Sequence, residues 1–185
     1  KAKITPFLKH EWIGIERRIT PDFRNEVKTG IKRKLVLEFA EKLYNVPHKD
    51  KLFKKTRKLL GEIERMVCEE EKIDWALGEL LAYASLLNEG HHIRLSGQDV
   101  ERGTFSHRHA ILKIEHSEEE VCPLNMINDD VHFDIFNSLL SEYGALGFDY
   151  GYSIARPESL TIWEAQFGDF SNAAQIMIDQ FISCA

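Results

Sequence analysis

DWALGELLAYASLLNEGHHIRLSG, residues 74–97, decides the fold. Asp74 is a residue type whose side chain accepts a hydrogen bond from the free N–H groups that open a helix. Behind it Leu77, Leu80, Leu81, Ala84 and Leu87 recur at helical spacing, which gives one apolar face. Gly90 stands where a helix ending in a left-handed residue favours glycine. Ile93-Arg94-Leu95 then reads as a short strand, broken at Ser96-Gly97. A capped helix leading at once into an apolar strand and a glycine turn is the rhythm of an α/β unit.

The alternation continues outward from this unit. Ala110–Ile114 predicts a strand, Ser117–Glu120 an acidic turn, and Val131–Phe136 a further strand. A helix is expected from near Ser138, carrying Leu139, Leu140, Ala145, Leu146 and Phe148. Gly144, Gly147 and Gly151 stand at i, i+3 and i+7 and so share one helical face. Each glycine costs about 1 kcal/mol inside a helix, so the cluster implies that another backbone comes close there. Leu160-Thr161-Ile162-Trp163 reads as a buried strand, leading through Glu164–Phe170 into a final helix over Ser171–Ala185. Strands alternating with helices predict an α/β fold, a mostly parallel sheet flanked by helices on both faces.

Toward the N-terminus, helices are expected over Ile31–Tyr44 and over Asp50–Cys68, the first ended by Asn45-Val46-Pro47. Residues 1–30 lack periodicity, contain Pro6, Pro21 and Gly30, and hold one apolar patch at Trp12, Ile13 and Ile15, so they read as an extended lead-in. The organisation expected is therefore a lead-in and helical segment over 1–72, then an α/β domain over 73–185. A first residue of lysine and a last helix without a stop signal predict a piece of a longer chain, with that domain truncated at its C-terminal end.

Composition narrows the function classes. At 43% hydrophobic and 29% charged residues the 185-residue chain can bury a core. It has no run approaching the ~20 apolar residues of a membrane span and no signal-peptide pattern. Three cysteines, Cys68, Cys122 and Cys184, sit far apart, which suits a reducing compartment rather than a disulfide framework. Positions 1–72 hold 19 basic and 12 acidic residues, and positions 73–185 hold 5 and 18, so the halves carry +7 and −13. The basic run Lys51–Lys58 lacks an aromatic stacking platform and reads as a solvated helix face, not as a nucleic-acid surface.

Motifs for phosphate loops, dinucleotide folds, nucleophile elbows and helical zinc sites are absent. His107-Arg108-His109 would place two imidazoles on one face if extended, but no carboxylate or thiolate stands at ligand spacing. These histidines are expected to form hydrogen bonds at a strand edge or to line a cleft. Two spots remain for chemistry. Glu142 is a carboxylate in the first turns of the glycine-rich helix, and Phe167-Gly168-Asp169-Phe170 sets two aromatics at a strand exit, where ligands gather in open sheets. From spacing alone, a solvated N-terminal glutamate and a packed phenylalanine pair account for them better than a site does, since acidic residues favour helix starts.

Longer wording separates these alternatives. Ile93–Asp99 followed by Arg102–Ala110 resembles the start of the pyrimidine-binding domain of the 2-oxoglutarate dehydrogenase family, in its thiamine-diphosphate-dependent decarboxylating component. Asn137–Tyr143, Gly147–Ser153, Trp163–Phe170 and Asp179–Ser183 resemble the same family. The likeness is dense from Ile73 onward and looser over the preceding helices.

This resemblance implies a transketolase-like fold in a homodimer, with the cofactor bound between subunits. Its Mg2+ and diphosphate would be held by a domain absent here, since the family's Gly-Asp-Gly…Asn motif is missing. Glu142 matches the glutamate that hydrogen-bonds a nitrogen of the aminopyrimidine ring, favouring its protonation and making the exocyclic amine acidic enough to act as a base after losing a proton. Phe170, and with it Phe167, match aromatics that stack on the ring, and Leu140 matches a residue that keeps the cofactor bent. The glycine face would then serve a close helix crossing at the dimer interface. Gln98 stands where related oxo-acid dehydrogenases carry an acidic residue, which leaves Asp99 as a proton relay or as a turn cap. The resemblance further implies succinyl transfer to the lipoyl groups of a dihydrolipoyl succinyltransferase partner, in bacterial cytoplasm or the mitochondrial matrix. A 2-oxoadipate dehydrogenase shares these motifs, and a non-catalytic oligomerisation module is the alternative of a different class.

Overall fold

A computed structural model describes residues 11–15, 26–70 and 72–184. Helix α1 spans Arg33–Tyr44 and buries Phe39, Ala40 and Leu43. Helix α2 spans Lys54–Arg65, buries Leu60 and Ile63, and loosens into a π-helical turn over Met66–Glu70. Helix α3 spans Trp75–Asn88, and the Asp74 carboxylate accepts the Leu77 N–H at 2.8 Å as its cap. At its far end Gly90 has φ +90°. The Gly90 and His91 N–H groups return to the Leu87 and Leu86 carbonyls, each at 3.0 Å, the paired bonds of a Schellman cap.

Strand β1 (Ile93–Gly97) follows as expected and becomes the centre of a three-stranded sheet. Two short antiparallel strands come next, β2 (Leu112–Lys113) and β3 (Glu120–Val121). Strands β4 (Phe133–Asn137) and β5 (Leu160–Glu164) flank β1, both parallel to it. Helix α4 (Glu142–Ala155) joins β4 to β5, and a four-residue helix α5 (Ala174–Met177) packs on α4.

Alternation along β1 sorts the two faces of the sheet. Ile93 and Leu95 join the buried cluster with Phe133, Ile135 and the apolar faces of α1–α3. Arg94 and Ser96 turn the other way, to the Asp149 carboxylate on α4. The expected parallel α/β sheet with helices on both faces is therefore present. One hydrophobic cluster runs from Phe39 to Ile135, so the early helices are packed against the sheet domain.

Four expectations need correction. The strand predicted over Ala110–Ile114 shrinks to β2, because His109 takes φ +42° and the Ala110 N–H bonds the Glu101 carbonyl at 2.8 Å. Part of the acidic turn, at Glu120, is its strand partner. The helix predicted from Ser138 begins at Glu142. Ser138 donates its N–H to the Gly97 carbonyl at 2.8 Å and accepts the Leu140 N–H on its hydroxyl at 3.3 Å, so the link stays non-helical. The final helix breaks into a 3-10 turn at Asp169–Ser171, α5, and a π-helical turn at Ile178–Ile182, because Asn172 takes a non-helical conformation (φ −110°, ψ −122°). Among the described residues the Met177 side chain meets Gly147 on the glycine face, and Gly151 faces open space. Trp12 of the lead-in donates its indole N–H to the Ile154 carbonyl at 2.8 Å, at the end of α4.

Candidate functional site

The register of the sheet brings Gly97, Asn137 and Glu164 side by side at its carboxyl edge, the edge where ligands collect in such folds. Gly97 has φ +151°, and a Cβ there would overlap the Glu164 carbonyl oxygen. Only glycine lets the two backbones approach this closely.

Glu142 opens α4 just beyond this edge. It lines a hollow of about 10 Å³ with Gly97, Gln98, Ser138, Leu140, Trp163, Glu164 and Asp169, space for no more than one water. The Glu142 carboxylate makes no hydrogen bond or ion pair with any described residue. Two wider grooves adjoin the hollow and share Ser138 with it. One, of about 550 Å³, includes Gln98, Asp99, Arg102, Asn137 and Phe167. The other, of about 410 Å³, includes Arg94, Phe136, Leu140 and Phe148.

The segment after β5 is folded over the hollow by Asp169. Its carboxylate accepts the Gln98 side-chain amide and the Gln166 backbone N–H, both at 3.3 Å. Phe167 takes φ +51°, an unusual conformation for a bulky residue, and its side chain is 87% exposed. Its place in the wall of the larger groove is thus held at some conformational cost. Phe170 is half-exposed and lies outside both the hollow and that groove. The structure thus brings Glu142 and Leu140 together, sets Phe167 in the adjoining groove, and leaves Phe170 further out.

The remaining candidates divide. Asp99 lines the larger groove, but its carboxylate is bound to Arg102, with Nε at 2.8 Å and a second contact through Nη2. Its carbonyl accepts the Gly103 N–H at 3.0 Å, so it closes a turn. His107 and His109 do not share one face, because Ser106 and His109 both have positive φ and the segment is not extended. His107 Nε2 lies 3.8 Å from Glu79, and its Nδ1 is buried without a partner. His109 Nε2 lies 3.0 Å from the Ser106 hydroxyl, in the wall of an apolar hollow beneath α1 and α2. Burial, then the nearby Lys55 charge, lowers the His109 pKa despite an opposing hydrogen bond with the Ser106 backbone. Neither histidine lines the groove of Asp99.

Comparison with known proteins fits this fold. Residues 71–185 match the family described as transketolase, pyrimidine binding domain. The chain belongs to that family. It is 42% identical to a mitochondrial 2-oxoglutarate dehydrogenase of Schizosaccharomyces pombe over 99% of its own length and 18% of that protein. It is 48% identical to a 2-oxoglutarate dehydrogenase E1 component of Oceanobacillus iheyensis over 87% of its length and 17% of that protein. A mitochondrial 2-oxoglutarate dehydrogenase of Dictyostelium discoideum is 43% identical over 96% of the chain and 18% of that protein. The chain therefore spans less than a fifth of the length of these relatives.

Two charged clusters in this pyrimidine-binding domain escaped the sequence reading. Arg108 is 2% exposed. Its Nε donates to Glu79 at 2.5 Å, one terminal nitrogen to the Val100 carbonyl at 2.8 Å, and the other to Glu164 at 2.5 Å. Burial by itself would lower the Arg108 pKa, but the hydrogen bonds and charges of Glu79 and Glu164 outweigh it and raise the pKa above the ordinary value. Burial, then the Glu79 charge, pushes the neighbouring Tyr83 hydroxyl up to about 12.

The second cluster fastens α4 to β1. Arg94 Nε donates to Asp149 at 2.7 Å, and the Ser96 hydroxyl donates to the other oxygen of the same carboxylate. The rings of Phe136, Phe148 and Tyr152 surround the guanidinium at 4.6–5.2 Å. The signal for this second cluster was a charged residue inside an otherwise apolar element, Arg94 within β1 and Asp149 within α4. Periodicity flags such a position without naming its partner.

Proposed function

We propose that this chain supplies the aminopyrimidine half of a thiamine diphosphate site in a 2-oxoglutarate dehydrogenase. The observation that carries the reading is Glu142, a carboxylate without a partner among the described residues at the carboxyl edge of the sheet. The substrate is taken from the relatives, which are 2-oxoglutarate dehydrogenases.

The donor set fits such a ring. An uncommitted acceptor, a flanking leucine and an outward phenylalanine are what a flat, protonatable heterocycle requires, and the adjoining grooves offer room that the 10 Å³ hollow does not. In this reading Glu142 accepts a hydrogen bond from a ring nitrogen and favours a proton there. Leu140, 65% exposed at the rim, bears on the cofactor's bend, and the Phe167 and Phe170 faces are available for stacking. Gln98, with its amide on Asp169, holds the segment that carries both aromatics. Asp99, committed to Arg102, acts as a turn closure rather than a relay. When bound, thiamine diphosphate supplies the electron sink for the pair released with carbon dioxide.

In this reading the catalytic unit is a homodimer, and Mg2+ and the diphosphate are held outside residues 1–185. Residues 73–185 carry the ring site, and the helices of 1–72 cover its sheet. The succinyl group passes to the lipoyl arm of a dihydrolipoyl succinyltransferase, in bacterial cytoplasm or the mitochondrial matrix. No described helix is long and apolar enough to cross a membrane.

The test is Glu142→Gln in the complete enzyme. Turnover of 2-oxoglutarate should fall by about 10²–10⁴, the usual contribution of a positioned acid–base group, with the melting temperature unchanged. Near-normal turnover would remove Glu142 from this role.

A further inference from the structure

Arg102 and Asp99 stand on the wall of the groove of about 550 Å³, which shares Gln98 and Ser138 with the Glu142 hollow. Arg102 reaches Asp99 through Nε and Nη2, and both bonds end on the same carboxylate oxygen. Its Nη1 has no partner among the described residues. Nor do the Thr104 hydroxyl, the Asn137 amide nitrogen and the Gln166 side-chain amide, which line the same groove. One guanidinium and three neutral donors thus line a space whose single carboxylate is already answered. The neighbouring cavities differ. No cation lines the Glu142 hollow. In the other groove the one cation is Arg94, bonded to Asp149 among three aromatic rings, with a side chain 17% exposed against 39% for Arg102.

A guanidinium with an N–H to spare, flanked by neutral donors, is the chemistry that holds a carboxylate. Building on the reading of the chain as part of a 2-oxoglutarate dehydrogenase, we propose that this groove is a carboxylate subsite beside the ring site, taking one end of a small dicarboxylate on Arg102. Residues 73–185 carry −13, a field that repels a dianion, and a local cation offsets it where the ligand lands. The groove is of the size usual for small-molecule sites. Its walls are set at a conformational cost, with φ +55° at Asp99 and φ +51° at Phe167, and such strain gathers at ligand clamps. Asp99 orients the guanidinium and, by sharing its charge, limits how tightly the anion is held. The same chemistry serves the far carboxylate of the substrate itself or a second dicarboxylate bound beside it.

The probe is glutarate, a five-carbon diacid without the keto group, titrated calorimetrically into the complete enzyme. Arg102→Gln should weaken its binding about ten-fold, the usual worth of a hydrogen bond to a charged group. Asp99→Asn removes the competing charge while asparagine tolerates the positive φ, so binding should tighten by about three-fold, as for an exposed ion pair. A loosened loop would weaken binding in both variants, so the opposite signs separate a ligand contact from a structural role. Glutarate competitive with 2-oxoglutarate assigns the groove to the substrate's own carboxylate, and non-competitive inhibition assigns it to a second molecule. Three results overturn the proposal: no glutarate binding by the native enzyme, unchanged affinity in Arg102→Gln, or weaker binding in both variants. If Arg102→Gln does not fold, Asp99→Asn decides alone, and affinity that fails to rise overturns the proposal. Turnover of Glu142→Gln judges the ring-site reading separately. Full activity there, with glutarate held through Arg102, fails that reading alone; lost activity there, with glutarate indifferent to Arg102, fails this proposal alone.

Discussion

Two carboxylates leave α4 seven residues apart, Glu142 in its first turn and Asp149 near its middle, and they meet opposite fates. A spacing of seven returns to nearly the same helical face, so both turn toward the sheet. Asp149 is 3% exposed, bonded to Arg94 and Ser96, and backed by a guanidinium inside three aromatic rings. Glu142 lies at the open edge of the same sheet with no partner among the described residues. One carboxylate fastens the helix to β1, and the fastening leaves the other projecting at a fixed height above Gly97. A fully answered buried charge reads as structure, and an unanswered half-buried one reads as a site.

The contrast breaks hardest at the fastening. Asp149→Ala strands Arg94 in a low-exposure pocket, and losing one partner of a buried pair typically costs about 3–5 kcal/mol. Urea unfolding should show that loss. A change below about 1 kcal/mol would class the pair with exposed ion pairs and remove the anchor from the account.

A smaller effect is expected one turn away. Gly151 faces open space among the described residues, so Gly151→Ala should stabilise the chain by about 1 kcal/mol through helix propensity. Gly147→Ala should gain less, because its new methyl would lie 3.1 Å from Met177 Cε. If Gly151→Ala instead weakens the proposed homodimer of the complete protein in analytical ultracentrifugation, a partner backbone reaches that face.

The smallest effect lies away from α4. His109 has a lowered pKa in the folded chain, so folding favours its neutral form. The stability it contributes is full above the ordinary histidine value of about 6.5. That contribution is lost as pH falls below this value, where the unfolded chain binds a proton that the folded chain resists. Thermal melting should decline over this range, and His109→Gln should flatten the decline. An unchanged slope would assign it to other groups.

Legibility followed the range of the forces involved. α3 and β1 were readable because their signals are local: the Asp74 cap, the apolar spacing from Leu77 to Leu87, and Gly90. The start of α4 was misplaced by four residues because Ser138 is held by Gly97, 41 positions earlier in the chain, in a bond that spacing cannot reveal. The hairpin of β2 and β3 was missed because two-residue strands carry no period. Glu142 could be singled out as a carboxylate at a helix start, yet its lack of a partner is a property of the folded surroundings. Arg108 stands inside His107-Arg108-His109, where two imidazoles are the more conspicuous signal. The residue that organises the cluster lay between them, and its partners are 29 and 56 positions away.

The most direct measurement pairs Glu142 with the one atom it is said to hold. Affinity of the complete enzyme is compared for thiamine diphosphate and for an analogue whose pyrimidine nitrogen is replaced by carbon, in the native protein and in Glu142→Ala. The native enzyme should prefer the natural cofactor by ten-fold or more, about 1.4 kcal/mol or above for a charge-assisted hydrogen bond, and Glu142→Ala should show no preference. Equal discrimination by both proteins would contradict the account, since the ring nitrogen would then be recognised by some other group.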